Sequence, residues 1–161
     1  MGLRDRLLGT KYPESGSIPR STSEVQDSLL AIDGADTPYR VRRANPLEKA
    51  DVVAEWWIPP RSSSREQVDR RIRIRMRLDP HGREVRILQE QWTSTREELS
   101  WSRGYSRGWG FAVEREWTYE RGPDGRRRKV ETYRLDTRDM RNALRKVVLS
   151  AGWTWRGVFR L

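Results

Sequence analysis

Cysteine is absent from the 161 residues, and histidine occurs once, at position 81. Without thiols the chain has no disulfide, no thiol nucleophile and no cysteine ligand for zinc, which fits a reducing cytosol. The single histidine lies in Asp79-Pro80-His81-Gly82, which reads as an exposed turn. A catalytic triad, a histidine general base and a His-rich metal site therefore all lack their parts. No Gly-rich phosphate loop follows a strand and opens a helix, and no cofactor is expected. Long apolar runs are missing as well. Met1 to Thr10, with Arg4, Asp5 and Arg6, is too short and too charged for a secretory leader, and no stretch approaches a membrane span. These absences point to a cytoplasmic protein without catalytic machinery.

What is abundant is arginine. Of 33 basic residues 29 are Arg, against 23 acidic residues, for a net charge of +10. The excess is confined to residues 61–161, which hold 25 Lys or Arg and 14 Asp or Glu, whereas residues 1–60 hold 8 and 9. Arginine grips phosphates and carboxylates in a bidentate fork, although a GC-rich genome raises arginine everywhere without any functional cause. Hydrophobic residues make up 35% of the chain and charged residues another 35%, so the core must use large side chains economically. The eight tryptophans are the natural candidates.

The chain reads as one α+β domain over residues 38–161, preceded by a flexible or partly helical tail, 1–37, with a possible helix near 23–32. In the tail, Leu3, Leu7 and Leu8 form a short apolar cluster that is either a docking turn or a stray hydrophobic end. Residues 51–58 place Val52, Ala54, Trp56 and Ile58 on one strand face, and Pro59-Pro60 end the strand. Ile72, Ile74, Met76 and Leu78 then alternate with Arg71, Arg73, Arg75 and Arg77, one face core and the other a row of arginines. The turn at 79–82 leads into a strand over 83–93. A second hairpin joins 110–120 to 128–135 through Gly122-Pro123-Asp124-Gly125, with Phe111, Val113, Trp117 and Tyr119 expected on its buried face. Asp136 or Thr137 caps a helix carrying Met140, Leu144, Val147, Val148 and Ala151, which Gly152 ends. A last strand, 153–161, places Trp153, Trp155 and Phe159 together. The expected fold is an antiparallel meander, or partly curled sheet, of five to seven strands with one long C-terminal helix packed on it.

Three features are candidates for binding an anionic partner, whether nucleic acid, an acidic protein surface or a phospholipid head group. The row Arg71, Arg73, Arg75 and Arg77 spans about 20 Å at the rise of a strand. It either tracks a phosphate backbone or is neutralised by Glu90, Glu114, Glu116 and Glu131 from neighbouring strands. Replacing Arg73 and Arg75 by Glu should then abolish binding and leave folding intact. The segment 101–110 repeats an aromatic-Ser-Arg-Gly unit, placing Trp101, Arg103, Tyr105, Arg107 and Trp109 in a Gly-rich stretch. It is either a mobile loop whose rings stack on bases or a bend whose rings fold into the core. Arg126, Arg127 and Arg128 lie at the second hairpin's tip, where charge also guards an edge from aggregation. Glu114 and Glu116 share a strand face and read as part of a charge ladder rather than as catalytic carboxylates.

The stretches Met76-Arg77-Leu78-Asp79-Pro80 with Glu84-Val85-Arg86, and Ala151-Gly152-Trp153-Thr154-Trp155-Arg156-Gly157, resemble a family of uncharacterised actinobacterial proteins, as does Asp51-Val52-Val53-Ala54-Glu55-Trp56. The resemblance covers residues 39–161 and implies no activity, so no functional residue is carried over from it. The shortened connection at 61–67 and the repeat at 101–108 depart from the family's pattern.

The sequence thus supports a non-enzymatic binding or adaptor protein for an anionic or protein partner. Two alternatives stand beside it. One is a single-stranded nucleic-acid-binding protein. The other is a small-ligand carrier or enzyme with a pocket between helix and sheet lined by Trp117, Trp153 and Trp155.

Overall fold

A strand sends alternate side chains to opposite faces, and the structure is organised around that property. It is a computed structural model that describes residues 2–61, 67–108 and 110–161, with the backbone alone for Thr132. In chain order the elements are α1 (Leu3–Leu7), α2 (Thr22–Leu30), β1 (Arg40–Arg43), β2 (Val52–Ile58), β3 (Gln67–Asp79), β4 (Glu84–Glu97), β5 (Ser100–Arg107), β6 (Val113–Arg121), β7 (Arg127–Asp136), α3 (Arg138–Ser150) and β8 (Thr154–Gly157). β1 to β5 pair in sequence, each antiparallel to the next. β4 is long enough to take two neighbours on one side, β5 along Glu90–Glu97 and β8 along Glu84–Ile87. β8 runs parallel to β4, because the chain returns to it through α3, so the sheet is mixed rather than a pure meander. β6 and β7 form a separate two-stranded ribbon.

The apolar rows Val52, Ala54 and Trp56 of β2, Ile72, Ile74 and Met76 of β3, and Val85 and Ile87 of β4 share one buried cluster with Val25 and Leu29 of α2, Met140, Leu144 and Val148 of α3, and Trp153 and Trp155. Residues 1–37 contribute directly to it. α2 is started by a capping box in which Ser21 Oγ accepts from the Glu24 backbone N–H and Glu24 Oε2 accepts from that of Ser21. Lys11 exchanges main-chain hydrogen bonds with Trp155 of β8, at 2.8 and 2.9 Å.

Gly152 ends α3 with φ +73°, and a Cβ there would stand 2.9 Å from Pro19 Cα. That tight approach brings Trp153 back over the core, where its Nε1–H donates to the Arg20 carbonyl at 2.8 Å. Gly152→Ala therefore meets both a left-handed backbone and a backbone clash. We expect a loss of about 2 kcal/mol, read as a fall of roughly 4–8 °C in the thermal midpoint; an unchanged midpoint would show that residues 18–20 yield freely.

Several expectations are corrected. Phe111, Val113, Trp117 and Tyr119 are exposed rather than buried, at 57%, 40%, 43% and 70%, because the ribbon reaches the core only at its β7 end, through Leu135 with Tyr133 against it. Phe159 lies beyond β8 and is exposed, so it does not continue the row of Trp153 and Trp155. Residues 101–107 form neither a mobile loop nor an inward bend. They are strand β5, since eight main-chain partners along β4 outweigh the low strand propensity of glycine. Nor do the tryptophans act together as core. Trp56, Trp153 and Trp155 are buried and Trp92 is half-buried, but Trp57, Trp101 and Trp117 are exposed. Trp117 sits on the ribbon and does not join Trp153 and Trp155 around a pocket. Trp109 and positions 62–66 of the connection lie outside the described residues.

A candidate arginine and aromatic face

The face of the sheet turned away from α2 and α3 is where the sequence motifs meet. Pairing across β3 and β4 sets Arg71 opposite Trp92, Arg73 opposite Glu90 and Arg77 opposite Arg86. Pairing across β4 and β5 sets Trp92 opposite Tyr105, Ser94 opposite Arg103 and Arg96 opposite Trp101. Residues directly opposite one another share a face. The arginine row of β3 and the series Trp101, Arg103, Tyr105 and Arg107 of β5 therefore lie on the same side, with Glu90, Trp92 and Ser94 between them. On the other flank, pairing adds Arg40 and Arg42 of β1 and Glu55 and Trp57 of β2.

Half of this face is an ion-pair network centred on Glu90, whose side chain is 3% exposed. Its carboxylate accepts from Arg73 Nε and Nη2 at 3.1 and 3.0 Å, from Arg75 Nε and Nη2 at 3.0 and 3.2 Å, and from the Tyr105 hydroxyl at 2.8 Å. Burial by itself pushes the Glu90 carboxyl up. The hydrogen bonds from Tyr105 and Arg73 and the charges of Arg75 and Arg73 outweigh burial and hold the group below the usual carboxylate range. Arg107 reaches the network through Tyr105, its Nε donating to the hydroxyl oxygen at 2.7 Å. At the β1 edge, bidentate hydrogen bonds from Arg42 at 2.8 and 2.9 Å are the main cause holding the Glu48 carboxyl down to about 2.

The other half is open. A groove of about 770 Å³ runs from β1 to β5, lined by Trp57, Trp92, Arg40, Arg71, Arg103, Ser94, Asp69 and Glu55 among others. Trp57 is 62% exposed, and its Nε1–H donates to Asp69 Oδ1 at 2.8 Å, which fixes the ring while leaving its faces to solvent. Trp92 packs on Tyr105 with centroids 5.3 Å apart and lies under the Arg73 guanidinium at 4.9 Å. Trp101 donates through Nε1 to Ser94 Oγ at 3.1 Å, and the Arg103 guanidinium rests 3.9 Å above its ring. Arg71 gives Nη2 to Glu55 at 2.9 Å. Among the described residues, Arg77, Arg96 and Arg103 have no carboxylate within ion-pair distance.

The predicted neutralisation of the arginine row is thus uneven. Glu90 takes Arg73 and Arg75 together. Glu114 and Glu116 reach instead to Arg70 and Arg61, which are not in the row, and Glu131 lies on the ribbon opposite Trp117. Arg126, Arg127 and Arg128 stand at the ribbon's turn and along β7, where Arg128 pairs with Asp124 at 3.3 Å. Among the described residues no strand pairing joins them to the arginine face. Sequence reasoning missed Trp57, Trp92 and Arg40. The signal for Trp57 was present, since it alternates with the apolar row of 52–58 and must leave the opposite face.

No protein-family model, no curated protein and no solved structure matches the chain. Among the described residues no cluster of three or more His, Asp or Glu side chains is placed to hold a metal ion, and no helix is long and apolar enough to cross a membrane.

Proposed function

We propose that this is a non-enzymatic binding protein whose open sheet face holds an extended anionic chain, and that the chain is single-stranded nucleic acid. The observation that carries this reading is the presence of exposed, hydrogen-bond-anchored indole rings beside arginines on one uncovered face. Exposed aromatic surface is costly in water unless something covers it, and bases stack on such rings whatever their sequence. The groove crosses five strands, about 19 Å at strand spacing, which accommodates a few nucleotides. Arg40, Arg71 and Arg103 supply phosphate contacts, and Asp69 and Glu55 accept from base amino groups while repelling phosphate from the floor. An acidic protein surface would use the arginines but leave the rings idle.

The test is tryptophan fluorescence during titration with short single-stranded RNA or DNA at two salt concentrations, with polyglutamate as the charge-only control. Quenching should exceed that with polyglutamate, and log K should fall with log salt by about 0.7 per phosphate neutralised. Equal quenching by polyglutamate would replace nucleic acid with an acidic partner.

A further inference from the structure

A second basic feature lies away from the arginine face, where the N-terminal segment meets α3. Arg141 and Arg145 are four residues apart on α3, so their side chains share one helix face, an arrangement that costs stability when both carry the same charge. Arg6 of α1 and Lys11 close the other side of a recess of about 220 Å³, and Leu7 and Gly9 complete it. Among the described residues its lining contains four cations and no carboxylate. Two acids near these positions in sequence, Asp5 and Asp136, make their ion pairs with other arginines. Asp5 lies 3.4 Å from Arg156 and accepts from the Tyr12 hydroxyl, and Asp136 is held by Arg138 at 2.6 Å.

This clustering is imposed by the fold. Lys11 is fixed by its two main-chain hydrogen bonds to Trp155, and Gly9, at φ +67°, turns the chain between α1 and that bridge. α3 is anchored by Met140, Leu144 and Val148, which alternate with the two arginines around the helix and place them on the rim of the core. Removal from water, followed by the charges of Arg145 and Arg138, lowers the pKa of Arg141 against a smaller opposing pull from the charge of Asp136. A compact anion with more than one charge relieves that crowding, and arginine forks match the oxygens of phosphate.

We propose that the recess bounded by Arg6, Lys11, Arg141 and Arg145 is a binding site for a small, multiply charged phosphate, with pyrophosphate as its simplest form. The site is independent of the nucleic-acid reading of the sheet face. Calorimetric titration of the full chain with sodium pyrophosphate, against sodium sulfate at matched ionic strength, tests it. The exposed or half-exposed positions are varied together as Lys11→Gln with Arg145→Gln, and Arg71→Glu with Arg103→Glu serves as the sheet-face control. One pyrophosphate should bind per chain, at least about tenfold more weakly in the first double variant and with unchanged affinity in the second. Absence of binding heat, an equal response to sulfate, or undiminished affinity in Lys11→Gln/Arg145→Gln would overturn the assignment. Loss of binding only in the second variant would overturn it too, by moving the anion to the sheet face.

Discussion

Replacing Glu90 by glutamine is expected to lower the unfolding free energy by about 3 kcal/mol, because it removes one partner of a buried charge cluster and leaves the others desolvated. Arg73 and Arg75 are 23% and 15% exposed and point at this one carboxylate, so neither guanidinium regains full hydration when the charge is removed. Urea denaturation at neutral pH measures the change. A loss below about 0.5 kcal/mol would mean that the cluster behaves as an ordinary surface pair. A pH dependence follows from the same group. Its folded pKa is depressed, so its contribution is present above the unfolded carboxylate value, roughly 4.3, and is lost as pH falls through the lower folded value. Glu48, held to about 2 chiefly by its hydrogen bonds from Arg42, adds an acid loss of the same sign. Glu90→Gln should remove that group's share of the decline and leave the part due to Glu48. The cluster also changes the choice of probe for the arginine row. Arg73→Glu or Arg75→Glu would place a carboxylate against Glu90 and disturb folding, contrary to the expectation from sequence that these two could be reversed harmlessly.

The largest effect on binding is expected at Trp57. Trp57→Ala should weaken single-stranded RNA binding by about 1–3 kcal/mol, roughly 5- to 150-fold, with little change in stability because the ring is 62% exposed. Arg71→Glu combined with Arg103→Glu should add to this by reversing charge on both sides of Trp92, and should also flatten the salt dependence. Trp117→Ala, on the ribbon, is the matched control with a similarly accessible indole. Equal losses from Trp57→Ala and Trp117→Ala would take the groove out of the function and leave diffuse contact with exposed aromatic surface.

Much of the architecture was legible because it is local. The alternation of residues 71–78, the Pro and Gly of the turn at 79–82, the second hairpin's turn and the stripe of α3 each need only a few neighbouring residues to be read. The repeat at 101–108 shows the limit. Trp101, Arg103, Tyr105 and Arg107 alternate with Ser102, Gly104 and Ser106 at strand period, but the glycines argue for a bend. Pairing with β4, a long-range contact, decides the matter. Glu90 was visible as one acid among four. Its buried position between Arg73 and Tyr105 depends on the registers of two strand pairs.

The sequence by itself determined an α+β chain with no cysteine and a single histidine, an excess of arginine in residues 61–161, and a β3 with one apolar and one basic face. All of these follow from composition and from the period of a strand. Which aromatic residues meet that basic face was decided by tertiary structure, since a one-residue slip in either pairing would turn the whole β5 series to the other side. The same is true of the four cations between α1 and α3, drawn from positions 6, 11, 141 and 145. Side chains so far apart in the chain become neighbours only once Lys11 pairs with β8 and α3 packs on the core.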